Sequence, residues 1–260
     1  MTDEAYGEVR IEWRGAVALT IIDHPPNNHA GVDLMRALAD AFEALDADPQ
    51  CRALVLATEG KVFCGGADLQ APNAVTRDDG AGINPFYREA ARLFSNNKPI
   101  VAAVQGAAVG AGLGLALVAD FRIAAPEARF CANFVKLGFH AGFGISHTLP
   151  RLIGLQRASL MLQTARRIKA EEALDWGLVD AVVPLEQVRD QAVALAQEIA
   201  ENAPLAVQST RATLRQGLAD AVSAQTDHEL AEQQRLMKTA DFAEGVRAVN
   251  ERRSGVFVGG

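Results

Sequence analysis

The first hydrophobic pattern in the chain is an alternation that predicts a β-hairpin. Residues 9–13 and 16–22 are apolar at nearly every second position, and Arg14-Gly15 separates the two runs. Alternation with a period of two is typical of strands, and a glycine-containing connection of this length is typical of a tight turn. The segment 23–28, which contains two consecutive prolines, ends the second strand because proline cannot donate to a strand ladder.

After the hairpin, short apolar runs alternate with segments of helical period. No strand pattern follows Val183, and the rest of the chain has helical spacing only, including one long helical stretch at 220–253. Strand–helix alternation predicts parallel strands joined by right-handed crossovers. We therefore predict an α/β body at 1–184 and a helical tail at 185–260. Strands are predicted at 53–57, 100–104 and 121–125, and helices at 32–45, 86–94, 113–119, 155–164 and 170–175.

The most informative stretch is 98–120, where a buried strand, several glycines and a buried helix follow one another. The run 100–104 is branched and apolar, and glycines occupy positions 106, 110, 112 and 114 before the helix ends near Asp120. A strand, a glycine turn and a helix direct free backbone N–H groups and the positive end of a helix dipole towards an anion. That anion is a phosphate, a carboxylate or an oxyanion formed during a reaction.

Three other interpretations of this stretch remain. Its low polarity and a Gly-x-x-x-Gly spacing resemble a transmembrane packing segment, although four glycines would then lie at the bilayer centre. The second interpretation is a dinucleotide-binding fold, although the glycine spacing here differs from the Gly-x-Gly-x-x-Gly fingerprint of such folds. The third alternative is a glycine-rich turn that only allows close contact between chain segments. A second glycine-rich stretch, 61–69, also follows a predicted strand.

Composition excludes several classes of protein. With 260 residues, 49% hydrophobic residues and 22% charged residues, the chain can bury a large core and is not disordered. A net charge of −7 argues against a nucleic-acid-binding surface. The three cysteines form no pair of close spacing, the N-terminus has no signal-peptide core, and the five histidines have no metal-ligand spacing. We expect a cytoplasmic protein with no membrane segment, no metal and no separate cofactor.

Several motifs in a fixed order resemble those of the crotonase (enoyl-CoA hydratase/isomerase) superfamily. The resemblance covers nearly the whole chain, from the Asp23–Asn28 segment to the end of the helical tail. It implies a spiral of β-β-α turns with a C-terminal helical trimerisation region, an acyl-CoA thioester as ligand, and homotrimers or homohexamers. The motifs are 23–28, 63–69, 98–120, 149–154, 171–179 and 244–253.

The resemblance also implies an oxyanion hole that stabilises a thioester enolate. By the family pattern its two donors are the backbone amides of Ala67 and Ala111, each preceded by glycine. Such fixed donors strengthen as charge develops on the thioester oxygen, by ~3–4 kcal/mol per donor. The same pattern assigns substrate contacts to Pro26, Asn28, Gly65, Ala67, Asp68, Leu69, Gly110, Ala111, Gly114, Asn133, Phe134, Gly142 and Arg252.

The sequence departs from the family pattern at the acid and base positions. Hydratases of this family carry two glutamates, but the corresponding positions here are Gly114 and Phe134, and the aspartate of some isomerases falls at Gly142. None of these residues can transfer a proton. His140 is the first candidate to replace them, because its ordinary pKa lies near neutrality. Tyr87 and Glu89 are further candidates, and three phenylalanines (Phe134, Phe139 and Phe143) predict an apolar acyl pocket.

From the sequence we therefore expect an enoyl-CoA hydratase/isomerase-like enzyme with non-standard acid–base residues. The alternative is an acyl-CoA-binding protein without catalytic activity. Neither the acyl group nor the particular reaction follows from the sequence.

Overall fold

The computed structural model describes residues 4–67 and 85–260, and its centre is a seven-stranded sheet. The order in this sheet is β1-β2-β3-β4-β5-β7-β10, and a second sheet has the order β6-β8-β9. The strands are β1 (Glu4–Tyr6), β2 (Val9–Arg14), β3 (Val17–Ile22), β4 (Ala53–Thr58), β5 (Ile100–Val104), β6 (Ala107–Val109), β7 (Phe121–Ala124), β8 (Arg129–Cys131), β9 (Ile168–Lys169) and β10 (Ala181–Val182).

Ten α-helices and three short 3-10 helices cover and extend these sheets within the described ranges. The 3-10 turns lie at Leu93–Ser95, Asn133–Leu137 and Leu185–Gln187. The α-helices are α1 (Val32–Ala47), α2 (Pro85–Arg92), α3 (Ala111–Val118), α4 (Ile145–Ile153), α5 (Leu155–Thr164), α6 (Ala170–Trp176), α7 (Val188–Ala200), α8 (Pro204–Leu214), α9 (Leu218–Leu236) and α10 (Ala240–Asn250).

Strand pairing in the large sheet confirms the predicted topology. The hairpin β2–β3 is antiparallel, with Trp13 opposite Ala18, whereas β3, β4, β5, β7 and β10 run parallel to one another. Parallel pairing follows because each crossover passes through at least one helix, as the strand–helix order requires. The predicted α/β class is therefore confirmed.

Both faces of the large sheet are buried, which explains its nearly continuous apolar strands. On β3, Ala18 and Ile22 face the main core with α1, whereas Val17, Leu19 and Ile21 face a second cluster. Helix α7 covers that second cluster with Val188, Ala192, Ala196 and Ala200. The boundary predicted at residue 184 therefore lies just before a helix that completes the core of the sheet. The division into body and tail stays a prediction.

The helical tail differs from the sequence-based expectation in one respect. The stretch predicted to be helical over 220–253 consists of two helices, because α9 ends at Leu236 and α10 begins at Ala240. Thr239 caps α10, since its side chain accepts a hydrogen bond from the Phe242 amide. A cap of this kind starts a new helix and lets α10 take its own direction.

No helix within the described ranges is both long and apolar enough to cross a membrane. The transmembrane interpretation of residues 98–120 is wrong, because this stretch divides into β5, β6 and the eight-residue helix α3. Cytoplasmic location stays a prediction.

Candidate functional site

The two glycine-rich stretches lie side by side, as an active site built from both would require. The Cys64 amide donates to Ala107 O at 3.0 Å, and the Val109 amide donates to Cys64 O at 3.0 Å. The stretch 61–69 also pairs with the segment before α1, because Gly66 O accepts a hydrogen bond from the Ala30 amide at 2.9 Å. The glycine turn predicted after β5 is in fact the short strand β6, which these bonds hold against residue 64.

The bends after these segments bring Ala67 and Ala111 together. Gly66 has a φ of 97° and Gly110 a φ of 55°, both in the region that favours glycine. A Cβ built on Gly66 would lie 3.9 Å from Ala111 N, so the two bends are in contact.

Within the described ranges, the backbone hydrogen bonds around these two bends do not use the Ala67 or the Ala111 amide. Ala111 is the first residue of α3, and the first amides of a helix have no carbonyl partner one turn earlier. In the bridge between Ala30 and Ala67, the Ala30 amide donates to Gly66 O, and the Ala67 amide takes no part in this hydrogen bond.

A cavity of about 50 Å³ lies at these bends. Among the described residues that line it there is no carboxylate and no imidazole, and the polar side chains are those of Tyr87 and Asn133. The lining residues are Gly65, Gly66, Ala67, Phe86, Tyr87, Gly110, Ala111, Asn133, Phe134, Leu137, Phe139, Gly142 and Phe143. The cavity thus brings together seven of the predicted contact positions, namely Gly65, Ala67, Gly110, Ala111, Asn133, Phe134 and Gly142.

The ring of Phe143 fills the space beside Gly114. A Cβ built on Gly114 would lie 2.5 Å from two ring carbons of Phe143, too close for any side chain without movement. Gly114 is not among the described residues that line the cavity, and its contact with substrate stays a prediction. Its role is to admit the aromatic ring that forms part of the cavity wall.

The hydroxyl of Tyr87 and the amide of Gln233 fill the space beside Gly142. A Cβ built on Gly142 would lie 2.0 Å from Tyr87 Oη and 2.7 Å from Gln233 Nε2. Tyr87 is buried, and its hydroxyl donates to Gln233 Oε1 at 2.7 Å. Burial is the main cause that raises the pKa of Tyr87, and the negative charge of Glu229 adds to it. Tyr87 is therefore a neutral phenol near pH 7.

Aromatic rings form the rest of the wall, as the sequence predicted. Phe134 contacts Phe139 with ring centroids 5.6 Å apart, and Phe139 contacts Phe242 at 5.4 Å. On the opposite side, Phe86 and Phe143 meet edge to face at 5.9 Å. These contacts leave an apolar wall around a small polar opening.

The structure gives no support for His140 as the proton-transfer residue. Its ring is not part of the cavity lining, and it meets the ring of His228 on α9 at 5.9 Å. Its Nδ1 is 2.8 Å from Ala141 O. Glu89 is also absent from the lining, because it is buried in ion pairs with Arg92 at 2.5 Å and Arg36 at 3.7 Å.

The side chain of Asn28 holds neighbouring chain segments together. It is fully buried, and its Nδ2 donates to Glu59 O at 2.8 Å and to Val62 O at 2.7 Å. The predicted contact of Asn28 with substrate stays a prediction. Pro26 and Arg252 are exposed and do not line the cavity. Asp68 and Leu69 lie outside the described residues, as does the loop predicted at 70–82.

The cysteines near the site are buried and weakly acidic. Desolvation raises the pKa of Cys64 to about 11 and also raises the pKa of Cys131. A thiol of such high pKa supplies little thiolate, so neither residue has the properties of a nucleophile. Across the described ranges, no group of three or more His, Cys, Asp or Glu side chains is arranged as metal ligands. The expectations of no metal and no cofactor stay predictions.

Sequence reasoning missed two residues of α9 that support the site from behind. Gln233 donates to His140 O at 2.9 Å and accepts from Tyr87. Glu229 is fully buried and accepts from the amides of Gly144 at 2.7 Å and Ser146 at 3.0 Å. No local motif marks these residues, because their partners lie more than eighty positions earlier in the chain.

Comparison with known proteins gives matches over nearly the whole chain. The profile of a family described as enoyl-CoA hydratase/isomerase matches residues 12–260. A carnitinyl-CoA dehydratase from Proteus mirabilis (strain HI4320) is 33% identical over 254 residues, covering 95% of this chain and 96% of that protein. A 1,2-epoxyphenylacetyl-CoA isomerase from Escherichia coli (strain K12) is 32% identical over 252 residues, covering 95% and 96%.

The fold has matches of the same extent among solved structures. The crystal structure of an enoyl-CoA hydratase/isomerase from Pseudoalteromonas atlantica T6c superposes with a TM-score of 0.87 and 29% sequence identity. The match covers 96% of this chain and 100% of that chain. Body, site and helical tail are therefore all included in the similarity.

Proposed function

Because this chain belongs to the enoyl-CoA hydratase/isomerase family, we propose that it binds an acyl-CoA thioester and stabilises the enolate of that thioester. The relatives named above act on CoA thioesters according to their names. Because the similarity covers nearly the whole chain, it supports a substrate of the same chemical class for this protein. The donors for the enolate oxygen are the backbone amides of Ala67 and Ala111.

One observation carries this proposal, which is the contact between the two bends at a single cavity. Gly66 and Gly110 place Ala67 and Ala111 in the lining of that cavity. Backbone donors held by strand pairing need no reorganisation when charge appears on the thioester oxygen. The positive end of the dipole of α3 adds to the effect at Ala111.

The proton-transfer step of this proposal differs from that of a hydratase with two glutamates. In the family pattern the carboxylates belong at positions 114 and 134, which hold glycine and phenylalanine here. Support comes from the described lining of the cavity, where the polar side chains are the neutral Tyr87 and Asn133. Ordinary addition of water by a carboxylate pair is therefore not the reaction that we propose.

The same observation favours one alternative, an acyl-CoA-binding protein without turnover. A cavity whose described side chains cannot transfer protons lacks the acid–base contribution to catalysis, as expected of a protein that only binds the thioester. A panel of thioesters that contains crotonyl-CoA and cyclic or aromatic acyl-CoAs distinguishes the two functions. Turnover of any thioester in the panel favours the enzyme. Tight binding of the thioesters with turnover of none of them favours the binding protein.

Removal of one amide donor tests the oxyanion hole directly. In Ala111→Pro the N–H is lost at the first position of a helix, where proline is well tolerated. The probe is acetoacetyl-CoA, which ionises to an enolate with its own ultraviolet absorbance. We expect the wild-type protein to bind this enolate and Ala111→Pro to bind it ~10²–10³-fold more weakly.

The matched control is Ala111→Ser, which keeps the N–H and adds only a hydroxyl group. Its enolate binding should stay within a few-fold of the wild type, with unchanged circular dichroism in both variants. Equal enolate binding by Ala111→Pro and the wild type would contradict the proposed role of this amide.

We also propose that the chain forms a homo-oligomer, a trimer or a hexamer of identical subunits, through its helical tail. Support comes from an exposed groove of about 830 Å³ between the end of α3, α4 and α8. Leu214 on α8 is 75% exposed there, and Leu152 on α4 is 36% exposed. A contact of Arg252 with the CoA of a neighbouring subunit remains a prediction within this proposal.

A further inference from the structure

The peptide that joins Gly66 to Ala67 carries one of the two proposed donors. This peptide belongs to none of the helices and strands of the described chain, and two glycines, Gly65 and Gly66, lead into it. Glycine restricts the backbone less than any other residue, so the local sequence does not fix the peptide plane. In a trans peptide the C=O and the N–H point in nearly opposite directions within one rigid plane. The groups that hold the Gly66 carbonyl therefore also determine where the Ala67 N–H points.

Two donors from the segment before α1 hold the Gly66 carbonyl. The Ala30 amide donates to Gly66 O at 2.9 Å, and Nδ1 of His29 lies 3.1 Å from the same oxygen. A carbonyl oxygen only accepts hydrogen bonds, so Nδ1 of His29 carries a hydrogen and donates it. The ring also packs along the bend, because a Cβ built on Gly65 would lie 3.3 Å from His29 Cε1. The Ala67 N–H therefore points to the side of the bend opposite His29.

The neighbouring residue Asn28 fixes the backbone from which His29 reaches the bend. Asn28 has a φ of 48°, and its buried side chain donates to Glu59 O and Val62 O, which precede the bend. His29 itself is half-buried. A ring on a segment held in this way loses little further freedom when it donates a hydrogen bond.

The second donor peptide is held on the same principle, with two donors on its carbonyl. The amides of Leu113 and Gly114 both donate to Gly110 O, at 3.0 Å and 3.1 Å, in the first turn of α3. The helix thus fixes the peptide that ends in the Ala111 N–H. At the first bend a backbone amide supplies one of the two donors, and the side chain of His29 supplies the other.

We propose that His29 is a positioning residue of the oxyanion hole, which holds the Ala67 N–H in the direction that an enolate oxygen requires. This inference rests on the proposed stabilisation of a thioester enolate and names the side chain that supports one of its donors. The hydrogen bond to the Gly66 carbonyl also polarises the peptide, which strengthens its N–H as a donor. Both effects are larger for an oxyanion than for a neutral carbonyl oxygen, because bonds to charged acceptors are stronger.

Two substitutions separate the donor of His29 from its ring. His29→Phe keeps an aromatic ring against Gly65 and loses the donor. In His29→Asn the ring is lost, but Nδ2 branches from Cγ as Nδ1 does in histidine, so a donor to Gly66 O remains. The two variants therefore have opposite expected results.

The probes are the enolate of acetoacetyl-CoA and butyryl-CoA, which remains a neutral thioester. Dissociation constants are measured on the full chain, by the absorbance of the enolate and by calorimetry. We expect His29→Phe to bind the enolate ~5–10-fold more weakly than the wild type, as the loss of one hydrogen bond of ordinary strength predicts. Its affinity for butyryl-CoA should stay within about twofold, since the amides act mainly on developed charge. His29→Asn should bind both ligands within about twofold of the wild type.

The outcomes separate this inference from the proposed function. Enolate binding by His29→Phe at the strength of the wild type would overturn the role of His29. Weaker enolate binding by His29→Asn would overturn it as well, because a retained donor would then not suffice. Equal weakening of both ligands in His29→Phe would indicate a merely structural role and would also overturn it. In each of these cases, tight enolate binding by the wild type would leave the oxyanion hole standing, whereas failure of the wild type to bind the enolate overturns both proposals.

Discussion

At the residue scale, glycine at positions 114 and 142 is explained by what occupies the space of the missing side chains. Phe143 fills the space beside Gly114, and the Tyr87–Gln233 pair fills the space beside Gly142. In the family pattern these positions carry carboxylates in some relatives. In this chain the neighbouring side chains occupy that volume, and the described part of the cavity wall is apolar apart from one phenol and one amide side chain.

A methyl group at position 114 is expected to reduce stability despite the higher helix propensity of alanine. Alanine gains about 1 kcal/mol over glycine within a helix, whereas overpacking a rigid core costs ~1–3 kcal/mol. Because the new Cβ would meet the Phe143 ring at 2.5 Å, we expect Gly114→Ala to lower the free energy of unfolding by ~1–2 kcal/mol. Urea denaturation measures this change.

The Phe143→Ala background serves as the control for this prediction. With the Phe143 ring removed, Gly114→Ala should lower the free energy of unfolding by clearly less than it does in the wild type. The double-mutant cycle should then show a coupling energy of ~0.5–3 kcal/mol. Independent effects of the two substitutions would show that the ring does not determine the need for glycine.

At the element scale, helix α9 connects the helical tail to the cavity. Gln233 supports Tyr87, and one turn earlier Glu229 accepts from the amides of Gly144 and Ser146 at the start of α4. The hydroxyl of Ser146 also donates to Glu229, at 2.5 Å. A buried carboxylate that receives three donors fixes the N-terminus of α4 on α9.

Replacement of this carboxylate by an amide should destabilise the fold. In Glu229→Gln the side chain keeps its shape, but its NH₂ group cannot accept, and one backbone N–H is left buried without a partner. We expect a loss of ~1–3 kcal/mol in the free energy of unfolding, measured by chemical denaturation.

Glu232→Gln on the same helix is the matched control. Glu232 pairs with Arg235 at the surface, three residues further along α9, and such pairs contribute little to stability. The control should change stability by less than about 0.5 kcal/mol. Similar losses in both variants would contradict the role assigned to Glu229.

At the scale of the whole molecule, the groove along α8 is the surface that we expect identical subunits to bury. It combines exposed leucines with a charge cluster in which Arg211 and Arg215 both pair with Asp120, at 2.8 Å and 3.1 Å. Arg211 Nη2 is buried and has no hydrogen-bond partner within the described part of the chain. Exposed leucines in a groove of this size suit a partner copy that brings apolar groups of its own.

A charge introduced into this groove should reduce the size of the assembly. We expect Leu214→Glu to convert the oligomer to monomer, since burying an unpaired carboxylate at an interface costs more than a leucine contact gains. Light scattering coupled to size-exclusion chromatography measures the mass. Leu174→Glu, on the exposed surface of α6 and outside the groove lining, should leave the mass unchanged. An unaltered mass for Leu214→Glu would contradict this choice of surface.

The elements of the body and the position of its two glycine bends were predictable from the sequence. Strand and helix periods are local properties, so β2, β3, β4, β5 and β7 lie at or within about a residue of their predicted positions. The C-terminal cap at Gly177, with a φ of 75°, was equally predictable from a single residue type. The resemblance to the family, carried by the ordered motifs, also implied that Ala67 and Ala111 lie together, and the structure brings both residues to one cavity.

The shorter elements and the chemistry of the cavity wall were not predictable. Strands β6, β8, β9 and β10 have only two or three residues each, too few for a period to be detected. Helix α4 lacks a side-chain cap of its own, because Glu229 of α9 takes that role from a distant part of the chain.

His140 and Tyr87 show most directly the difference between what the sequence predicts and what the structure decides. By residue type, His140 was the better candidate for chemistry near neutral pH, yet its ring faces His228 on α9 and not the cavity. Tyr87 lies in the cavity wall, and the orientation of its proton follows from Gln233 and the His140 carbonyl, 146 and 53 positions away. The sequence by itself determined the α/β fold class, because strand and helix periods are local properties, and its resemblance to the family implied the pairing of Ala67 and Ala111. Only the tertiary structure decided which side chains line the cavity, because side-chain direction depends on contacts between residues far apart in the chain.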